Sequence, residues 1–463
     1  IEVLKSGFPA SYGGRLSSVI DVHMKEGDKY NLHGEGGLGL IFSKLTLEGP
    51  IKKGKSSFLF SARRTYADLL IRPILKLSDA GTDVIPYFGD VNLKANFPTG
   101  KRDRLYFSVY LGQDKLRIKE DYSTSRTDAN LSWGNTTALT RWNHEFSKKM
   151  FSNFTLTYSR YRFITTGSTE EKDGQYTFYQ KDHYLSGVQD WSIKADIDYL
   201  PAPDHFIKAG FDLVFHKYHP GILQNYVRDS FSNISRTLGN QSLSTREYDA
   251  YIEDDIKLSS SMKANAGVRL STFVVNGKSF FNVQPRVNWL YKLHPQWNLK
   301  ASYSRMNQYI HLLTNANVGL PTDLWVPVTK NIPPQSSHQF SGAVSYSHDK
   351  SWEFSMEVYY KLLNNVVDYG EKTGFSYNTY SWEDMLETGT GKAYGVEWLV
   401  QKKKGKVTGL ASYTLSRSTR QFANINEGKA YPFKYDRRHE LKMAVVWQAS
   451  SRFEASANWF FLT

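Results

Sequence analysis

The feature that most constrains this chain is a period of two, repeated from about residue 30 onward in runs of roughly ten residues separated by turn residues. In one run Trp191, Ile193, Ala195, Ile197 and Tyr199 project to one side, and Ser192, Lys194, Asp196 and Asp198 to the other. Leu105, Phe107, Val109 and Leu111 oppose Tyr106, Ser108 and Tyr110 in the same way. So do Trp352, Phe354, Met356, Val358 and Tyr360 against Glu353, Ser355, Glu357 and Lys361. Near the end Phe453, Ala455, Ala457 and Trp459 alternate with Glu454, Ser456 and Asn458. A helix cannot present this pattern, because its faces repeat every 3.6 residues. No stretch approaches the ~18 apolar residues of a membrane-spanning helix. The chain is therefore read as all-β.

A soluble sandwich alternates too, and three features favour a transmembrane antiparallel β-barrel over it. Aromatic residues make up 15% of the sequence and close many runs on the apolar side, as Trp191 with Tyr199 and Trp297 with Tyr303 do, which suits interfacial girdles. Short connections (residues 98–103, 201–204, 258–261, 294–296, 347–350 and 402–406) alternate with long ones, expected near 65–86, 117–128, 163–185, 218–243, 307–333, 362–390 and 418–434. The polar faces carry Lys194, Asp196, Asp198, Lys208, Asp212, Glu253, Asp255, Lys257, Lys300, Glu353 and Glu357, charges that need water or partners. An enclosed aqueous lumen supplies both. The runs predict about nineteen strands, and three more would complete an even-numbered barrel of about twenty-two, the size at which a lumen needs a plug.

Several functions are disfavoured. The net charge of +13 is spread along the chain rather than gathered in a stripe, so nucleic acid is not an expected partner. There is no cysteine, hence no disulfide and no thiolate metal site. His216 and His219 are three apart in an extended segment, where their rings face opposite sides, so no metal site is expected. GEGGLGL (34–40) lies in a strand setting and is no dinucleotide fingerprint. No Walker loop, His-Glu-x-x-His or nucleophile elbow is present, so the chain is expected to be no enzyme and to need no cofactor. Lys402 to Lys404 read as a solvated turn, with contact to anionic headgroups as the second reading. Ile1 opens without a signal peptide and reads as an internal position.

Residues 1–28 do not share the barrel rhythm. The phrase FPASYGGRLSSVIDVHMKEG, Phe8 to Gly27, resembles the end of the plug domain in TonB-dependent receptors, particularly those of the Bacteroidetes type. LEGPIKKGKSSFLFSARRTY, AYGVEW and YDRRHELKMAVVW resemble later phrases of the same family. The resemblance implies a plug remnant at 1–28 and a transmembrane barrel at 29–463, incomplete at its C-terminus, in the bacterial outer membrane. It implies contact with outer-membrane lipid and lipopolysaccharide, and with a TonB complex through a segment ahead of Ile1. A surface lipoprotein or larger membrane assembly is a further partner class. Plug–barrel contacts are expected at Tyr12, Gly13, Gly14 and Arg15. Gly13 and Gly14 permit a close backbone approach. Arg15 is expected to pair with an inward glutamate, Glu397 first, then Glu353 and Glu357.

A ligand should meet the long loops above the plug. The 307–333 segment offers Tyr309, His311, Asn315, Asn317 and the stacking surface of Trp325, although a tryptophan there also serves to anchor the loop. The resemblance implies TonB-driven import of a scarce iron chelate, cobalamin, glycan or peptide. The competing reading is a plugged barrel serving as a structural or accessory subunit of a larger assembly.

Overall fold

The computed structural model describes residues 2–66, 70, 82–239, 242–313, 324–370 and 382–463. Two short strands, β1 (Glu2–Leu4) and β2 (Val19–Asp21), pair antiparallel with Glu2 opposite Asp21. The barrel follows with β3 (His33–Leu38), β4 (Phe42–Lys52), β5 (Ser56–Thr65), β6 (Thr82–Pro98), β7 (Asp103–Asp121), β8 (Ser125–Ser147), β9 (Met150–Asp173) and β10 (Tyr176–Ala202). It continues through β11 (His205–Arg228), β12 (Asn233–Leu238), β13 (Leu243–Lys257), β14 (Met262–Val275), β15 (Lys278–His294) and β16 (Trp297–Gln308). A separate hairpin, β17 (Ile310–Leu313) and β18 (Leu324–Pro327), interrupts it. β19 (Gln335–His348), β20 (Trp352–Tyr369), β21 (Leu386–Lys402), β22 (Val407–Phe422), β23 (Tyr431–Pro432), β24 (His439–Gln448) and β25 (Glu454–Leu462) complete it.

Neighbouring staves are antiparallel, and the strand order forms a ring. Setting aside β12 and β23, short ribbons on β11 and β22, nineteen staves stand side by side, the number the alternation predicts. The ladders run unbroken from β3 to β25. β25 stands next to β3 in that ring, and Leu38 and Phe460 on these two strands are 91% and 69% exposed.

The alternating faces fall where the pattern places them. Phe154, Trp191 and Phe211 are exposed on the outer wall, where an isolated apolar face needs hydrocarbon. Lys194 and Asp196 point inward, 3.4 Å apart, and Asp212 accepts a bond of 3.1 Å from Ser192 Oγ. Tight turns follow local chemistry: Asn276 and Gly277, with φ of 46° and 78°, supply the two left-handed residues of the β14–β15 hairpin.

Much of three expected loops is strand instead, one of them 218–243, where β11 runs to Arg228 and β12 returns over Asn233–Leu238. β7 and β8 continue to a turn at residues 122–124, and β9 and β10 to one at residues 174–175. The 24 residues of β9 would extend roughly 80 Å, far beyond an apolar band of about 25 Å. Past that band neither face meets lipid, so sequences such as TTGSTEEKD (165–173) lose their alternation while the ladder persists.

Candidate functional site in the barrel lumen

The segment ahead of β3 threads the lumen, and the barrel grips its backbone. Pro9 to Tyr12 form a turn closed by Tyr12 N–H on Pro9 O at 3.2 Å. Arg286 Nη1, from β15, donates to both Pro9 O and Tyr12 O at 2.5 Å. Arg269 Nη1, from β14, reaches Ala10 O and Ser11 O at 3.4 Å, while its Nη2 holds Asp249 at 2.5 Å. From β13, Glu253 accepts Ser11 N–H at 3.3 Å and Ser11 Oγ–H at 3.1 Å. Both guanidiniums are almost wholly buried. They spend their donors on carbonyls that a single turn of chain presents together, which is how a planar fork is best satisfied.

Around this clamp the contacts spread across the barrel. Lys5 pairs with Glu397 at 2.7 Å, and Ser6 Oγ donates to Glu357 at 2.5 Å. Lys361 Nζ donates to Leu16 O. On the far side Lys25 meets Glu48 at 2.6 Å, and Glu26 meets Lys94 at 2.6 Å. Apolar contact centres on Phe8 and Leu16, packed on Met306, Leu363, Val366 and Phe422, with Leu4 and Val19 of the same segment against this cluster. The segment is thus held chiefly by charged and polar groups at many points. The Tyr12 hydroxyl is pushed up to about 12 by burial and by its 2.8 Å bond to Asp21.

The expected contact residues separate. Tyr12, Gly13 and Gly14 lie in the gripped turn: Tyr12 O is bonded, a Cβ on Gly13 would stand 2.2 Å from Arg269 Nε, and Gly14 has φ +72°. Arg15 does not pair with Glu397. Its Nη1 donates to Gly14 O at 2.7 Å, and its guanidinium carbon lies 6.0 Å from the Trp325 ring centre. Lys5 takes Glu397 because the β1–β2 pairing places it at the start of the loop, opposite β21, while Arg15 lies near the other end. Glu353 sits nearer the short-turn end of β20 than Glu357 and pairs with Lys403 of the neighbouring β21–β22 turn, not with the inserted segment.

The β17–β18 hairpin crosses the lumen from β20 to β10 and β11. Leu313, Leu324 and Val326 pack on Val367, Tyr369, Trp382 and Leu386. Of the expected ligand residues, Tyr309 is buried, stacked on Phe273 at 4.9 Å, with its hydroxyl bonded to Ser271 and Asn282. His311 is 0% exposed and receives Gln335 Nε2 on Nδ1 at 2.8 Å. Trp325 is half-buried beside Arg15. Asn315 and Asn317 lie outside the described residues. Tyr309 and His311 therefore form the hairpin's support rather than an open surface. His216 and His219 face opposite sides of β11; His216 pairs inward with Asp190 at 2.7 Å.

A barrel wall of this construction around an internal, polar-anchored segment can be compared with known proteins. The family model described as TonB dependent receptor-like, beta-barrel matches residues 76–462. The chain belongs to the TonB-dependent receptor family. This receptor's fold and family are those of outer-membrane transporters and receptors, which are not enzymes, and they place it in the bacterial outer membrane. Among solved structures it is similar to FpvAI in its complex with pyocin S2 (TM-score 0.70, 12% identity, 98% of this chain and 66% of that one). It is also similar to the siderophore receptor PirA from Acinetobacter baumannii (TM-score 0.67, 13% identity, 99% and 72%). A third is the ferric-catecholate import receptor Fiu from E. coli K12 (TM-score 0.61, 13% identity, 94% and 71%). At these identities the likeness shows the fold, and the receptor chain spans about two thirds of the length of the first of them. No curated protein sequence matches it.

Arg269, Arg286 and Lys361 are among the contacts that sequence reasoning missed, with Lys5, Glu48, Lys94 and Glu253. A signal exists for the first three: each is a long cation in mid-strand on the inward face, in VRLS, QPRVN and YYKLL. What it would grip could not be read, because backbone carbonyls leave no trace in a sequence.

Proposed function

We propose that this receptor imports a scarce iron chelate across the outer membrane, with the inserted N-terminal segment as the C-terminal part of a plug that a periplasmic TonB complex displaces. The observation that carries the reading is the way the segment is held. Arg286, Arg269, Glu253, Lys5 and Lys361 grip it by polar contacts in a wet lumen, and such contacts can be exchanged for water as the segment moves. A dry apolar interface would resist the same displacement. The iron chelate is preferred over cobalamin, glycans and peptides because siderophore and ferric-catecholate receptors share the fold. The hairpin β17–β18 and Arg15 with Trp325 roof the segment on the exterior side, where a bound ligand would first be felt.

The test is growth of a deletion strain on single iron-chelate, cobalamin, glycan and peptide sources, each with and without TonB. Loss on an iron chelate that TonB deletion reproduces supports the proposal. Unimpaired growth on every source, with a stable partner co-purifying, would overturn it in favour of a structural subunit.

A further inference from the structure

Glu247 and Asp249 stand two residues apart on β13, so both carboxyls project to the inward side, and the two residues are only 9% and 4% exposed. One oxygen of Asp249 is taken, since Oδ2 accepts from Arg269 Nη2 at 2.5 Å. The other, Oδ1, is shut away from solvent and receives no donor among the described residues. A buried carboxylate oxygen left in that state is costly. Within hydrogen-bonding reach of Asp249 lies not a donor but the carboxyl of Glu247. Two carboxylates that close and away from water cannot both be ionised, whereas one proton between them supplies the missing bond.

The charges that face the pair are already committed. His216 of β11 meets Asp190 of β10 through Nδ1 at 2.7 Å and Glu247 through Nε2 at 3.5 Å. Arg269 of β14 is divided between Asp249 and the carbonyls of Ala10 and Ser11. Arg286 of β15 serves Pro9 O and Tyr12 O, Lys194 of β10 lies beside Asp196, and Arg15 of the segment donates to Gly14 O. The other nearby acids have donors of their own, Asp212 from Ser192 and Glu253 from Ser11. Tyr218 and Tyr309 face the pair as phenols.

The pair also lies against the gripped turn. A Cβ on Gly14 would stand 3.9 Å from Glu247 Oε1, and one on Gly13 would stand 2.2 Å from Arg269 Nε. The backbone of the inserted segment thus keeps water off the two carboxyls. Once it is withdrawn they are hydrated, and hydrated carboxyls are ionised above about pH 4.

We propose that Glu247 and Asp249 share one proton while the segment is seated, and lose it when the Pro9–Tyr12 turn is withdrawn. The seated form then holds one proton more than the released form. The segment is therefore held more firmly as pH falls and is released more readily as pH rises. The site rests on the reading that the segment is displaced, and it is independent of the ligand imported.

The test uses the purified full-length receptor in detergent, both as wild type and with His311→Leu, which removes the buried histidine of the roof as a second titrating group. Amide exchange at residues 8–16, corrected for intrinsic rates, should be about tenfold faster at pH 7.5 than at pH 5.5. Asp249→Asn and Glu247→Gln each put an amide N–H that does not titrate where the shared proton stood. Either should flatten the response in a barrel whose folding is checked by heat-modifiable migration. Infrared difference spectra between wild type and each variant at pH 5.5 need no opening of the segment, and should show the carbonyl stretch of one protonated carboxyl in wild type alone. Measurable exchange that is equal at the two pH values, or absence of that band, would overturn the shared proton. A pH response that persists in both folded variants would assign the linkage to His216 and overturn the pair. A segment that never leaves the lumen would exchange at neither pH yet keep the infrared band, so failure of the import reading and failure of this site are told apart.

Discussion

Arg269 occupies the space in which a side chain at Gly13 would begin: an ideal Cβ there lies 2.2 Å from Nε and 2.5 Å from Cζ. The guanidinium cannot swing aside freely, since it is buried and tied to Asp249 at 2.5 Å. Gly13→Ala is therefore expected to loosen the inserted segment by about 1–3 kcal/mol through overpacking. Gly14 makes the opposite case. Its φ of +72° strains an alanine by about 1 kcal/mol, but the new Cβ would meet only Glu247 Oε1 at 3.9 Å. Limited proteolysis of the segment should rank Gly13→Ala as the more labile. The reverse order would mean that backbone strain, not the guanidinium, limits this turn.

Arg286 serves two carbonyls of the same turn, and among the described residues no other barrel side chain donates to them. Arg286→Met should strand Tyr12 O and leave Pro9 O with only the Tyr12 N–H, at a net loss of about 2 kcal/mol once lumen water has compensated in part. Amide exchange at residues 8–16 should then quicken about 30-fold. Arg286→Lys keeps the charge without the fork and should fall between. Wild-type exchange in the methionine variant would remove Arg286 from the clamp.

Much of this was legible in the sequence because lipid and lumen impose opposite chemistry on alternate residues. Nineteen staves, their inward charges and the inward direction of Glu357 and Glu397 followed from that period alone. The pairing of those charges did not. Which cation meets Glu397 depends on the path of a loop with no period, and Lys5 and Arg15 are equivalent until β1 pairs with β2. The ends of β7 to β11 were lost for a related reason: above the membrane the environment is water on both faces, so only the backbone ladder records a strand.

Lys5 and Glu397 make an ion pair whose lysine is largely exposed, with 64% of its side chain open to solvent. Such a pair contributes about 0.2–1 kcal/mol. A double-mutant cycle of Lys5→Ala with Glu397→Ala on segment release should show coupling in that range, falling as salt is raised. Arg15→Ala with Glu397→Ala should be additive. Coupling confined to the Arg15 pair would mean that the segment sits differently in solution.

His311 links acidity to the roof of the lumen. Its ring is wholly buried in β17, accepting from Gln335 on Nδ1, and burial pushes its pKa down to about 3. An opened hairpin returns the ring to water and to a value of about 6.5. The open form therefore binds more protons at every pH between those limits, so the closed form is at full stability above about pH 6.5 and loses it as pH falls toward 3. At pH 5 the loss amounts to about 2 kcal/mol for one histidine. Amide exchange in Ile310–Leu313 and Leu324–Pro327, compared at pH 7.5 and pH 5 after correction for intrinsic rates, should show easier opening in acid. His311→Leu should abolish that difference while leaving the barrel's exchange unchanged. A variant that keeps the acid response would assign it to another group.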